Sequence, residues 1–208
     1  MSGWIIFLII LIIIIIIILL LYFFVFQSNT FIKYGQTISI KNNDFISGFL
    51  SICNLTDTNC TNRLYIPTVQ STNNIQSWII SSDTSPNGSI VKCGDTVNII
   101  PFTKTTSKIG LCGRISTISP CTNIIGLVST SISNNTTKWK LTSSSNINIG
   151  TNLNNGQEVL FINVAENKPM SVCGGGTSAC GGIGISALVT LRSDIGIADK
   201  WIVSDIKT

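Results

Sequence analysis

Cys93-Gly94-Asp95-Thr96-Val97-Asn98-Ile99 has two counterparts in the chain: Tyr34-Gly35-Gln36-Thr37-Ile38-Ser39-Ile40 and Asn155-Gly156-Gln157-Glu158-Val159-Leu160-Phe161. The three glycines stand 59 and 62 residues apart. Each opens a short apolar/polar alternation, the pattern of a strand entered from a turn. A cysteine follows each glycine after 18, 18 and 17 residues, at Cys53, Cys112 and Cys173, with a second close behind at Cys60, Cys121 and Cys180. Each copy then carries one tryptophan, in Trp78-Ile79-Ile80, Trp139-Lys140-Leu141 and Trp201-Ile202-Val203, at spacings of 61 and 62. Even the linking turns match, with Gly88-Ser89 and Gly150-Thr151 each beginning six residues before the next repeat glycine.

A period near 60 is too long for the common helical and leucine-rich solenoids. Helical periodicity is absent after residue 30, and β-branched runs such as Asn123 to Thr130 and Ile183 to Leu191 read as strands. Three multi-strand copies, none able to bury its own face, are expected to close around a pseudo-threefold axis. Over residues 31–208 the chain resembles the β-trefoil family, in which three four-stranded repeats form a short barrel capped by hairpins. The order of turn-strand, Gly/Leu/Cys and Trp is similar to fascin-like, MIR and ricin-B-type repeats. The resemblance implies an all-β fold with Trp78, Trp139 and Trp201 in its core and Gly35, Gly94 and Gly156 at its turns. A three-bladed propeller or a β-sandwich is the competing closure. The expected organisation is an anchor over 1–26, a short linker over 27–33 and a trefoil over 34–208, with repeats 34–92, 93–154 and 155–208.

The anchor is read from Trp4 to Phe26, 23 residues with no charge, Gly, Pro, Asn or Ser. As a helix this stretch covers roughly 35 Å, enough for a ~30 Å hydrocarbon core with some tilt. Trp4 and Tyr22 suit the interfacial aromatic belt. A cleaved signal peptide fits less well, for there is no basic n-region and no small-x-small site before Gln27. The expected partner of residues 4–26 is therefore the lipid bilayer, through a retained single-pass signal-anchor.

The paired cysteines read as staples. Six or eight intervening residues can bend back as a hairpin within disulfide reach. Cysteine counting alone leaves many connectivities open, and the repeat symmetry selects Cys53–Cys60, Cys112–Cys121 and Cys173–Cys180. Zinc needs Cys-x₂₋₄-Cys pairs or His partners, and the chain has no His. Cys93 is the odd seventh cysteine and reads as a buried free thiol, with a reactive or intermolecular thiol as the alternative. Disulfides persist in oxidising compartments, which implies a type II topology with residues 27–208 on the lumenal or external side. Lys33 and Lys41, just after the apolar run, pull weakly the other way under the positive-inside rule.

Charged residues make up only 11% of the 208, the net charge is +4, and Lys and Arg never run together. That leaves no electrostatic footprint for nucleic acid. Five Asn-x-Ser/Thr sequons, at Asn54, Asn59, Asn87, Asn134 and Asn135, match the about 4.5 that the composition alone predicts and carry no information. Gly174-Gly175-Gly176-Thr177-Ser178-Ala179 loosely matches a dinucleotide fingerprint, but Gly181-Gly182 follow where a helix would have to begin. Gln76-Ser77-Trp78 matches the Gln-x-Trp motif of ricin-B-type lectins, whereas Thr137-Lys138-Trp139 and Asp199-Lys200-Trp201 depart from it. The polar loops Asp83–Lys92 and Ser143–Asn155 and the tips between paired cysteines are the expected contact surfaces.

No catalytic constellation, metal site or cofactor motif stands out, so a non-enzymatic role is expected. With 38 Ile and 20 Asn, the chain also resembles membrane proteins of giant and other large DNA viruses. That resemblance implies a virion structural protein, a minor capsid or membrane component linking the membrane to other virion proteins. The alternative is a surface-exposed attachment module that binds host glycan or protein.

Overall fold

A computed structural model describes residues 3–28, 31–42, 48–52, 63–67, 76–114, 121–143, 148–175, 186–193, 195–196 and 199–206. The chain divides into two compact units, Met1–Phe31 and Ile32–Thr208.

The first unit is one helix, α1 (Gly3–Ser28), 26 residues long with no charged residue in its first or last turn. It spans about 39 Å at the α-helical rise. Its described side chains are apolar on every side, and Trp4 is 70% and Ile18 59% exposed. Among the described residues no helix is long and apolar enough to cross a membrane.

The second unit is all β. Repeat one supplies β1 (Thr37–Asn42), β2 (Gly48–Phe49), β3 (Ser51–Ile52), β4 (Leu64–Pro67) and β5 (Trp78–Ser81). Repeat two supplies β6 (Thr96–Pro101), β7 (Ser107–Arg114), β8 (Cys121–Ser129) and β9 (Trp139–Ser143). Repeat three supplies β10 (Gln157–Asn163), β11 (Met170–Gly175), β12 (Ser186–Arg192) and β13 (Trp201–Asp205). The first and last strands of the repeats pair in the order β13-β10-β9-β6-β5-β1, and a β13–β1 ladder closes the ring into a barrel. The inner strands form the cap, where β12 pairs with both β4 and β8 and an Arg63–Gly126 bridge completes the triangle. This is the β-trefoil. α1 ends at Ser28 and the β unit begins at Ile32.

Alternation decides which side chains fill the barrel. Within each repeat the ladders set Ile38 opposite Trp78, Val97 opposite Trp139 and Val159 opposite Trp201. Between repeats they set Ile80 opposite Ile99, Leu141 opposite Phe161 and Val203 opposite Ile40. All twelve are buried. Leu50, Leu64 and Ile66 of the first hairpin, with their counterparts in the other two, continue the same core. Each buried aliphatic side chain of this kind is worth about 1.5–3 kcal/mol before chain entropy is counted.

Each tryptophan also solves a polar problem. Nε1 of Trp78 donates to the Leu50 carbonyl at 3.1 Å, that of Trp139 to Ile109 at 3.1 Å and that of Trp201 to Met170 at 2.9 Å. The indoles thereby tie barrel to cap in all three repeats. Each repeat glycine then donates its N–H to the residue two beyond a tryptophan: Gly35 to Ile80, Gly94 to Leu141 and Gly156 to Val203. Side chains of Gln36, Asp95 and Gln157 accept from the backbone N–H of Lys33, Lys92 and Asn154, capping the turns alike.

At the barrel end opposite the cap, three buried residues close a ring of backbone hydrogen bonds. Ile32 donates to Leu153 at 2.9 Å, Leu153 to Val91 at 2.8 Å and Val91 to Ile32 at 2.9 Å. The ring sits on the pseudo-threefold axis and uses one residue from each linking segment.

Two turn glycines separate backbone strain from crowding. Gly94 has φ +98° and a Cβ there would meet Ile149 Cγ2 at 2.6 Å, while Gly156 has φ +78° and open space around it. Gly156→Ala should therefore cost only the left-handed strain, about 1–2 kcal/mol. Gly94→Ala should cost measurably more, because Ile149 must also move. Equal shifts in the denaturation midpoints of the two variants would show that Ile149 yields freely.

Candidate functional site

Residues that recur in all three repeats serve the fold. Two buried polar side chains that do not recur, Asn98 and Lys108, join the partly exposed Asp83 and Lys138 between repeats one and two. Asp83 follows β5, Asn98 lies on β6, Lys108 on β7, and Lys138 immediately precedes β9. Lys138 Nζ stands 3.0 Å from Asp83 Oδ2, and Asn98 Nδ2 donates to Asp83 Oδ1 at 2.9 Å. Behind them Lys108 Nζ donates to Asn98 Oδ1 at 3.3 Å. Repeats one and three have Phe49 and Pro169 where repeat two has Lys108, and Ser39 and Leu160 where it has Asn98.

This chain of groups borders a cleft of about 100 Å³. Ser82, Thr84 and Thr96 bring hydroxyls to it, Val97 lies in its wall, and Asp83, Asn98 and Lys138 bring charge and amide. The electrostatics are uneven. Hydrogen bonds from Lys138 and Asn98 hold the Asp83 carboxyl below the usual carboxylate range. Lys108 is 5% exposed, and burial lowers its pKa from the ordinary lysine value although Asp83 opposes the shift. Among the described residues the Lys108 ammonium has the Asn98 amide oxygen as its one hydrogen-bond partner, and a buried charge partnered so weakly costs the fold stability.

The Asp83 shift has a pH consequence. A carboxyl held below its unfolded pKa contributes stability that is complete above the unfolded value and is lost as pH falls through the native one. Acidification through that range should release Lys138 from Asp83, and Asp83→Asn should flatten this part of the curve of unfolding midpoint against pH. A curve that Asp83→Asn leaves unchanged rules the linkage out.

The structure places the other expected residues as follows. Trp78, Trp139 and Trp201 are fully buried core, and Gly35, Gly94 and Gly156 all have positive φ. The first position of the Gln-x-Trp motif is structural in repeats two and three: Thr137 and Asp199 are buried, with Thr137 Oγ1 donating to the Asn134 carbonyl at 3.0 Å and Asp199 accepting from Gly196 N. Gly174 and Gly175 are the last residues of β11, so the glycine run begins on a strand. Cys93 is a buried free thiol. Cys112 is disulfide-bonded. Cys53, Cys60 and Cys180, and the side chains of Cys121 and Cys173, lie outside the described residues, as do most of the tips between the pairs. Asp83 falls in a loop singled out from sequence, but Asn98, Lys108 and Lys138 were not foreseen. Lys138 fills the unconstrained middle position of Gln-x-Trp and carries no signal, and neither does Lys108, because alternation beside Ile109 points it outward.

No protein-family model and no curated protein matches the chain. Solved structures do. An SDF2-like protein from Arabidopsis thaliana aligns at TM-score 0.66 and 16% identity, over 84% of this chain and 94% of that one. The S. cerevisiae protein O-mannosyltransferase Pmt1-Pmt2 complex, bound to the sugar donor, aligns at TM-score 0.66 and 13% identity, over 85% of this chain but 26% of its own. The designed threefold-symmetric protein ThreeFoil aligns at TM-score 0.52 and 12% identity, over 82% of this chain and 99% of that one. At such identities the likeness is one of fold alone, and the fold is the β-trefoil.

Proposed function

We propose that the protein is a non-enzymatic, membrane-anchored β-trefoil that recognises a polar ligand through the cleft at Asp83, Asn98 and Lys138. The observation that carries this reading is the break in threefold symmetry, since Lys138, Asp83, Asn98 and Lys108 form a connected chain where repeats one and three have Phe49 and Pro169 in place of Lys108 and Ser39 and Leu160 in place of Asn98. The helix α1 supplies the anchor, because an uncharged helix of 26 residues, apolar on every described side, has no stable place in water. Within-repeat disulfides Cys53–Cys60, Cys112–Cys121 and Cys173–Cys180 staple the three hairpins, with residues 27–208 on the lumenal or external side. Translation of the full chain into microsomes tests the anchor and its topology. Retention in the membrane pellet at alkaline pH, with the β unit protected from protease until detergent is added, supports the reading. Release at alkaline pH sinks the anchor, and cleavage without detergent reverses the topology.

A second reading keeps the anchor and assigns the trefoil a structural role, linking a viral membrane to capsid proteins. It is favoured by the run of consecutive isoleucines from Ile12 to Ile18 and the 20 asparagines. Cross-linking of the β unit to capsid proteins within intact particles supports it over ligand recognition.

A further inference from the structure

Composition accounts for the number of Asn-x-Ser/Thr sequons, but the fold treats them unequally. Asn54 and Asn59 lie outside the described residues. Asn87, Asn134 and Asn135 are all exposed, so exposure alone does not rank them. The hydroxyls two residues further on do. Ser89 Oγ donates to the Pro86 carbonyl at 2.6 Å. The Asn87 side chain lies against Gly35, with its Cγ 2.8 Å from where a Cβ on that glycine would stand. Thr137, the hydroxyl residue of the Asn135 sequon, is fully buried, and its Oγ1 donates to the Asn134 carbonyl at 3.0 Å. Of the three hydroxyl residues, Thr136 alone serves its own asparagine. Its Oγ1 and its backbone N both donate to Asn134 Oδ1, the second at 3.1 Å.

We propose that Asn134 is an N-glycosylation site, used in preference to Asn135 and Asn87. The inference rests on the lumenal placement of residues 27–208 proposed above and is independent of the cleft. Asn134 is extended, at φ −130° and ψ 175°, where the chain enters the 3₁₀ turn Asn135–Thr137. That turn is fixed to the barrel, for Asn163 Nδ2 donates to the Thr136 carbonyl at 3.1 Å. An amide nitrogen is a weak nucleophile because its lone pair is delocalised onto the oxygen. Two donors on Oδ1 favour the form that carries negative charge there, and so ease loss of a proton from Nδ2. Nδ2 itself has no hydrogen-bond partner among the described residues. In the transfer, Nδ2 gives a proton to a base of the lumenal transferase and attacks the anomeric carbon of an oligosaccharide carried on a polyprenyl diphosphate. The C–N bond forms as the C–O bond to the diphosphate breaks, and the polyprenyl diphosphate leaves. Ser131 to Asn135 are all exposed, so a glycan there displaces no core side chain.

The test is translation of the full chain into microsomes, with a flexible tail bearing one Asn-Ser-Thr acceptor added after Thr208 as a control for topology. Enzymatic release of glycans in heavy-oxygen water, followed by peptide mass mapping, reads each asparagine separately. Asn134 should carry a glycan and Asn135 none. Asn134→Gln and Thr136→Ala should both abolish it, Thr136→Ser should retain it, and Asn135→Gln should leave it unchanged. Retention in the Ser variant separates the need for the hydroxyl from any disturbance of the turn. Occupancy at Asn135 or Asn87 equal to or above that at Asn134 overturns the proposal. So does a glycan that survives Thr136→Ala. A modified tail beside a bare Asn134 overturns the proposal and leaves the lumenal placement standing. If tail and Asn134 are both bare, the lumenal placement falls and the proposal falls with it.

Discussion

Trp139→Ala should lower the unfolding free energy by about 3–5 kcal/mol, the range for removing a large aromatic from a packed core. The loss has two parts that can be separated. One is the ring, which fills the barrel opposite Val97 and is fully buried. The other is the Nε1–H bond to the Ile109 carbonyl, without which a buried acceptor in the cap loses its donor. Trp139→Phe keeps most of the first and removes the second, so it should cost about 1–3 kcal/mol. Denaturant titration of the full chain in detergent, followed by near-ultraviolet dichroism, reads both. A Phe variant as stable as the parent would show that the Ile109 carbonyl finds another donor, and that barrel and cap are joined by packing alone.

Ending the chain at Lys200 should abolish cooperative unfolding. β13 is the strand that closes the ring, paired along five positions with β1 and along three with β10. Its removal exposes two strand edges at once and takes Trp201 and Val203 from the core. The Val203 carbonyl that accepts from Gly156 N and the Trp201 indole that donates to the Met170 carbonyl disappear from the network as well. An open sheet of this kind pairs with other chains instead of folding alone, so aggregation and a flat, non-sigmoidal denaturation curve are expected. A truncated chain that still unfolds in one sharp transition would mean that β1 and β10 can close the barrel between themselves.

The fold was legible because its constraints recur. A left-handed turn needs glycine at Gly35, Gly94 and Gly156, and a barrel needs a large apolar side chain at Trp78, Trp139 and Trp201. A residue demanded three times leaves a periodic trace. Less visible were the positions where different residues meet the same need. Leu50, Ile109 and Met170 all offer a carbonyl to an indole, but a carbonyl has no letter in the sequence. Gln36, Asp95 and Gln157 stood within the quoted segments, and their shared work in capping the turns emerged only from the hydrogen bonds. The cleft was hidden for the opposite reason. Asn98 and Lys108 sit at outward positions of β6 and β7 by alternation and yet are buried, because the Asp83 loop of the preceding repeat lies over Asn98 and Asn98 over Lys108. Such burial comes from contacts between repeats, and no pattern along a single strand reports it.

The ring of hydrogen bonds at Ile32, Val91 and Leu153 also determines how the domain answers tension. Ile32 is the first residue of the β unit, and its N–H and C=O are committed to two different repeats. A pull arriving along the chain from its N-terminal side is therefore divided at its point of entry, part passing to Leu153 and part to Val91. The load does not fall on one hydrogen bond after another, as it does when a terminal strand is peeled from a sheet edge. It is borne jointly, so the domain should yield in a single mechanical event at a force set by the whole ring.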